Sequence, residues 1–254
     1  MTVATPIPGI ALSGPKHLTS DLDLAPDALV YVLDLAAQMK RSPARFAQTL
    51  AGRYLSLLFE KPSLRTRMTF ELAMKQLGGD VITSTGPVGE REPVKDVARN
   101  LDRWTQGIVA RVFSQSTIDE LACWSNVPVI NALSDRYHPC QALADVLTLK
   151  EHFGRFDRLK LAYVGDGNNV AHSLMLTAAR LGTHVMVATP KGYEPDEQIT
   201  AQAAQLSYGT GTVTLTNDPA EAVAQAHAVY TDVWASMGQE SQAAERAAKF
   251  GPYQ

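Results

Sequence analysis

Short apolar, β-forming runs alternate with helix-period stretches along most of the chain, and this alternation constrains the fold more than any other feature. The runs fall at Tyr54–Phe59, Asp80–Thr83, Ile108–Phe113 and Val127–Asn131, separated by helical patterns at Arg65–Leu77, Pro93–Gln106 and Thr117–Ser125. Gly78-Gly79 supplies a stop signal after the first of these helices. An amphipathic helix spans 22–40 ahead of the first strand, and a long helical pattern, Pro139–Phe153, follows the fourth. A second series then begins. Leu159–Gly165 reads as a strand running into a glycine turn, followed by a helix at His172–Gly182. Strands at His184–Ala188, Thr212–Thr216 and Ala228–Tyr230 alternate with helices at Asp196–Ser207 and Pro219–Gln225. The pattern predicts an α/β protein of two similar domains, 1–147 and 148–254, each a parallel sheet flanked by helices. No flexible linker separates them, so the boundary lies in or just after the 140–153 helix. An active-site cleft between the domains is expected, because open α/β sheets bind ligands at the carboxyl ends of their strands.

Composition narrows the function. The 254 residues carry a formal net charge of -3, without the basic clustering of a nucleic-acid surface. No apolar run approaches the roughly 20 residues of a membrane-spanning helix. The first residues, Met1 to Gly14, lack the basic-then-apolar layout of a secretory signal and read as loose chain. Two cysteines, Cys123 and Cys140, make no disulfide framework and point to a reducing cytosol. Neither has metal-ligand spacing, so no metal is expected.

Two segments carry chemistry. Phe59-Glu-Lys-Pro-Ser63-Leu64-Arg65-Thr66-Arg67 ends a strand and opens a helix. Ser63 suits an N-cap, the amides after it suit an anion, and two arginines add forked donors. The plainer alternative is a capped helix with two solvated arginines. Arg111, at the end of another strand, is placed to face the same cleft. Tyr137-His138-Pro139-Cys140-Gln141 also follows a strand and starts a helix, so His138 and Gln141 share one face. His138 is either a structural histidine or a neutral hydrogen-bonding group beside a helix start. Gly165-Asp-Gly-Asn168-Asn169 resembles a dinucleotide turn only in part, since Val170 stands where a third glycine belongs.

Together the pieces resemble the ornithine branch of the aspartate/ornithine transcarbamoylase family from about residue 15 to 254. Four motifs carry the resemblance, in order: Ser63-Leu64-Arg65-Thr66-Arg67, His138-Pro139-Cys140-Gln141, Gly165-Asp-Gly-Asn168-Asn169, and Asp232-Val-Trp-Ala-Ser236-Met237-Gly238. The resemblance implies carbamoyl transfer from carbamoyl phosphate to the δ-amino group of L-ornithine, giving citrulline and phosphate, with no cofactor. It implies that Ser63, Leu64 (through its amide), Arg65 and Thr66 hold the phosphate. Arg111 bridges phosphate and carbonyl oxygen. His138 and Thr66 polarise that oxygen, and Gln141 reads the carbamoyl amide. Asn169, Asp232, Ser236 and Met237 bind ornithine, while Arg67 supports the loop. A cytoplasmic homotrimer in arginine metabolism is implied in the same way.

Three departures stand out. Leu64 replaces the usual threonine and keeps only the amide donor. Pro87 stands where many members offer a glutamine from a neighbouring subunit, leaving Glu90, Arg91 or Lys95 as substitutes. The sequence ends at Gly251-Pro-Tyr-Gln254, where the family continues into a His-Cys-Leu-Pro segment, a strand and a helix. A C-terminally incomplete chain is therefore expected. The alternative function is a truncated, non-catalytic chain that binds carbamoyl phosphate or oligomerises.

Overall fold

The computed structural model describes residues 17–234 and 243–253. Two compact units divide between Ser134 and Asp135. The first contains α1 (Pro26–Arg41), β1 (Tyr54–Phe59), α2 (Leu64–Gln76), β2 (Asp80–Thr85), α3 (Val94–Trp104), β3 (Ile108–Arg111), α4 (Gln115–Trp124) and β4 (Val129–Leu133). The second contains α5 (Pro139–Phe153), β5 (Lys160–Val164), α6 (Asn169–Arg180), β6 (His184–Ala188), α7 (Glu197–Gln205), β7 (Thr212–Thr216), α8 (Pro219–Val223), β8 (Ala228–Thr231) and α9 (Ala243–Phe250). The expected boundary at 147/148 falls inside α5; by contacts the whole helix goes with the second unit, because it packs along α6.

Each unit holds a four-stranded parallel sheet, ordered β2-β1-β3-β4 in the first and β7-β6-β5-β8 in the second. Both faces of the inner strands β1 and β3 are covered, which explains their near-continuous apolar runs, whereas the edge strand β2 is largely exposed. Leu58, Ile108 and Ala110 pack with Ala98 of α3 and with Ile118 and Leu121 of α4. Leu57, Phe59 and Val109 point to the other face, against Phe70 of α2. In the second sheet Ala162, Val164, Met186 and Ala188 pack against Ala222 of α8 and Phe250 of α9. Helix α6 is buried along its length, between its sheet and the helices α5 and α7.

The alternating pattern is borne out, with element ends shifted for local reasons. β4 starts at Val129 rather than Val127, because the Asp102 carboxylate takes the amides of Asn126 (2.7 Å) and Val127 (3.4 Å). α6 starts three residues before the expected His172, because the Asn168 side chain caps it, accepting from the Val170 and Ala171 amides. The helix α9 was not expected. Its inner face is carried by Arg246 and Phe250, and a charged residue on the buried side breaks the apolar periodicity. Arg246 donates to Asp166 Oδ2 (2.8 Å) and to the Trp234 carbonyl (2.9 Å), and so ties α9 to the turn after β5.

In both sheets the strand order reverses beside the first strand: between β1 and β3, and between β5 and β8. Crevices at such switch points take ligands in open α/β sheets. The turn after β5 is tightly seated there. The Gly167 amide donates to the Tyr193 carbonyl (2.9 Å), and a Cβ at Gly167 meets the backbone nitrogen of Pro195 at 2.2 Å. Gly167→Ala is therefore expected to destabilise the protein by about 1–3 kcal/mol, read as a lower urea midpoint with an unchanged denaturant slope.

Candidate functional site

In the first unit a candidate site lies at the β1/β3 switch point. Ser63 is the N-cap of α2 with extended backbone (φ -157°, ψ 102°), and its hydroxyl makes no capping bond. The amides of the first turn are thus left to an incoming anion, and the helix dipole favours negative charge there. Leu64 projects into solvent, so its contribution is the backbone amide. Arg111 is the last residue of β3, paired across the ladder with Phe59 of β1. The β3/β4 register shifts between Ala110 and Arg111, a bulge that redirects the chain where the site residue sits. The Arg111 side chain is only 7% exposed, and its Nη1 donates to Thr66 Oγ1 at 3.4 Å. Burial, and then the charge of Arg65, push its guanidinium below its ordinary pKa. Its Nε is buried with no hydrogen-bond partner among the described residues. A desolvated cation facing a second cation is costly unless an anion joins them. A cavity of about 370 Å³ lies beside this turn, lined by Phe59, Pro62, Ser63, Leu64, Arg67 and Gly86 among others.

Glu60 holds these residues together, and sequence reasoning missed it. Its amide donates to the Arg111 carbonyl (2.9 Å). Its two carboxylate oxygens accept from the amides of Val88 (2.8 Å) and Phe113 (2.7 Å). One side chain thereby fixes the loops after β2 and β3 against the turn after β1. Arg67 pairs with Glu71 at 3.5 Å on the helix surface, consistent with support of α2 rather than ligand contact.

In the second unit His138 is the N-cap residue of α5, with Pro139 at the first helical position. The His138 amide donates to Ser173 Oγ (2.8 Å). The neighbouring His172 locks the same segment. The Asp196 amide donates to His172 Nε2 (3.0 Å), so Nδ1 carries the hydrogen and donates to the Arg136 carbonyl (3.0 Å). Gln141, one turn into α5, donates through Nε2 to Asp145 Oδ1 (2.9 Å).

At the β5/β8 switch point Asn168 Oδ1 accepts from Tyr163 Oη (3.3 Å), and Nδ2 donates to Asp232 Oδ2 (3.2 Å). Asp232 Oδ1 accepts from the Val233 amide (2.8 Å), so its carboxylate is held from both sides. Tyr163 and Tyr230 stack with centroids 5.7 Å apart. Burial, then Asp145 and Asp232, push the Tyr230 phenol upward. Burial, then Asp232 and Asp166, do the same to Tyr163. Three carboxylates thus surround a tyrosine pair, a field that favours an ammonium group. Asn169, the expected ligand residue, stands at the first position of α6; Asn168 is the residue that orients Asp232. Ser236 and Met237 lie outside the described residues. The structure brings Ser63, Leu64, Arg65, Thr66 and Arg111 together in the first unit, and places His138, Gln141, Asn169 and Asp232 in the second.

Comparison with known proteins agrees. Residues 16–151 match the family described as aspartate/ornithine carbamoyltransferase, carbamoyl-P binding domain, and residues 157–254 match its Asp/Orn binding domain. Ornithine carbamoyltransferase of Thermus thermophilus is 51% identical over 249 residues, covering 97% of this chain and 80% of that protein. The enzyme of the same name from Carboxydothermus hydrogenoformans is 50% identical, covering 91% and 76%. Among solved structures, ornithine carbamoyltransferase from Pyrococcus furiosus superposes with a TM-score of 0.92 at 43% identity, covering 97% of this chain and 80% of that one. The chain belongs to the aspartate/ornithine carbamoyltransferase family. Its fold and its motifs are those of a carbamoyltransferase, of the ornithine type by its relatives.

The His172 geometry has a pH consequence. Burial holds its imidazole below the usual histidine pKa, so unfolding takes up a proton. The stability this ring contributes is present above about pH 6.5 and is lost as the pH falls from there through the folded value. The urea midpoint is expected to fall more between about pH 7 and pH 5 in the wild type than in His172→Gln. Parallel pH curves for the two proteins would show that the ring is not the titrating group.

Proposed function

We propose that this chain transfers the carbamoyl group of carbamoyl phosphate to the δ-amino group of L-ornithine, releasing L-citrulline and phosphate. The observation that carries the reading is Arg111: buried, repelled by Arg65, and bonded to Thr66 beside an uncapped helix start. That arrangement is built for a phosphorylated donor. The carboxylates around Tyr163 and Tyr230 supply the complementary preference for a diamino acid. The similarity to ornithine carbamoyltransferases over nearly the whole chain favours catalysis over the alternative of a non-catalytic binder.

The neutral δ-amino nitrogen of ornithine attacks the carbamoyl carbon. Negative charge develops on the carbonyl oxygen, where Arg111, Thr66 and His138 stabilise it; losing one such donor typically costs about 10²–10³ in rate. The tetrahedral intermediate collapses, the C–O bond to phosphate breaks, and the attacking nitrogen passes its proton to the departing phosphate. Ser63, the amides of Leu64 and its neighbours, and Arg65 take up the phosphate charge. Gln141 reads the carbamoyl amide, and Asp232 with Asn169, Ser236 and Met237 holds the amino-acid end of ornithine. Positioning of the two substrates supplies much of the remaining acceleration. Arg65→Ala is expected to lower citrulline formation by about 10²–10³-fold and to weaken carbamoyl phosphate binding in parallel. Undiminished turnover in that variant overturns the assignment of the phosphate turn.

The same reading places the enzyme in the cytoplasm, in arginine biosynthesis. Among the described residues no helix is long and apolar enough to cross a membrane. A homotrimer completes the reading. Leu64, Met68 and Leu72 form an exposed apolar row on α2 at helical spacing, and Ile82 lies exposed on the edge strand β2. Such a row suits burial against another copy. Leu72→Glu is expected to shift the sedimentation coefficient from trimer to monomer; a persisting trimer excludes this row as the contact.

A further inference from the structure

We propose that Asp145 is a positioning residue that fixes the polarity of the Gln141 amide and thereby selects a carbamoyl donor over an acyl donor of the same shape. The inference rests on the function proposed above. Asp145 lies four residues after Gln141 on α5, and the two side chains meet at 2.9 Å. An ionised carboxylate only accepts hydrogen bonds. The Gln141 amide must therefore turn Nε2 toward Asp145, which leaves Oε1 as the group offered to a ligand. An outward acceptor matches the NH2 of a carbamoyl group and has nothing to bond in an acetyl group. With the amide reversed, two N–H groups face the ligand and the match is lost.

The surroundings hold this polarity. Asp145 is half-buried, and its Oδ2 has no hydrogen-bond partner among the described residues. The groups that face it are Gln141 on its own helix, and Tyr230 and Asp232 from the β8 side. Tyr230 stays protonated, since its pKa is raised, and Asp232 repels a second negative charge. Burial raises the Asp145 carboxyl to about 6, opposed by the hydrogen bond from Gln141 and by the nearby Tyr230 phenol. Below that pH the carboxylic acid gains a donor, and the constraint on the Gln141 amide is released. Donor recognition is therefore coupled, through Asp145 and Tyr230, to the seat at Asp232.

The experiment compares wild type with Asp145→Asn, using carbamoyl phosphate as substrate and acetyl phosphate and inorganic phosphate as competitive inhibitors. Asparagine is isosteric and serves Gln141 in either orientation. Its expected effect is a rise of about 10- to 100-fold in the KM for carbamoyl phosphate, with the inhibition constants of acetyl phosphate and inorganic phosphate unchanged. The wild-type preference for carbamoyl over acetyl phosphate should also weaken below a pH of about 6 and be flat in the variant. An unchanged preference in Asp145→Asn overturns the proposal. So does a parallel loss of affinity for all three ligands, since that reports damage to the fold. A measurement without any variant of Asp145 stands beside these. In the wild type the Gln141 side-chain NH2 resonances, assigned by their loss in Gln141→Ala, should titrate with a midpoint of about 6; resonances that do not move refute the coupling. If wild type itself forms no citrulline, the function proposed above fails, whatever Asp145 does.

Discussion

A guanidinium withdrawn from water, with no carboxylate among the described residues to neutralise it, is the constraint on which the first unit depends. Arg111 is held at the end of a central strand, beside another cation, with hydroxyl rather than carboxylate contact. Left alone, such a group costs stability, because a buried charge needs a partner. The fold meets that cost with well-packed strands on both sides of β3 and with Glu60, which binds the neighbouring loops by their amides. In the proposed reaction this rigidity has a use, because donors held in place need no reorganisation when charge appears.

The second unit meets the opposite electrostatic problem. Asp145, Asp166 and Asp232 gather around two stacked tyrosines, and each carboxylate is held in a different way. Asp166 is paired with the buried Arg246 of α9. Asp232 is held by Asn168 and by the amide of Val233. Asp145 accepts from Gln141. Among the described residues only Asp166 is paired with a protein cation, so the field of the other two carboxylates at the tyrosines is not compensated. One unit is thus prepared for an anion and the other for an ammonium, as a reaction between a phosphorylated donor and a diamino acid requires.

Much of this was legible in the sequence because it follows local rules. A strand that runs into Ser63 and a helix start is recognisable from spacing alone, and so is His138-Pro139 at the head of a helix. Arg111 was legible because it closes an apolar run. Glu60 was not, since a glutamate beside a lysine in a loop reads as a solvated charge. Its partners, Val88 and Phe113, lie 28 and 53 residues away. Asn168 stands in a turn that only partly matches a dinucleotide pattern, and its capping role shows only once the helix start is seen to precede His172. Asp145 had a visible signal, the four-residue spacing from Gln141, but its burial depends on β8, some 85 residues further on. The bulge at Ala110/Arg111 had no signal at all, because it arises from pairing with β4.

The two strand orders also set a sequence of events during synthesis. In the first unit the turn at Ser63 and Arg111 are joined by a contact spanning 45 residues, and the strands that lead into them, β1 and β3, are adjacent in the sheet. In the second unit β5 waits for β8, and the contact from Asn168 to Asp232 spans 64 residues. Because a ribosome delivers the amino end first, the anion half can assemble while the partner strand of β5 is still inside the exit tunnel. During that interval one flank of β5 has no neighbour, and the nascent polypeptide passes through a stage with an open strand edge exposed to chaperones and to other nascent chains.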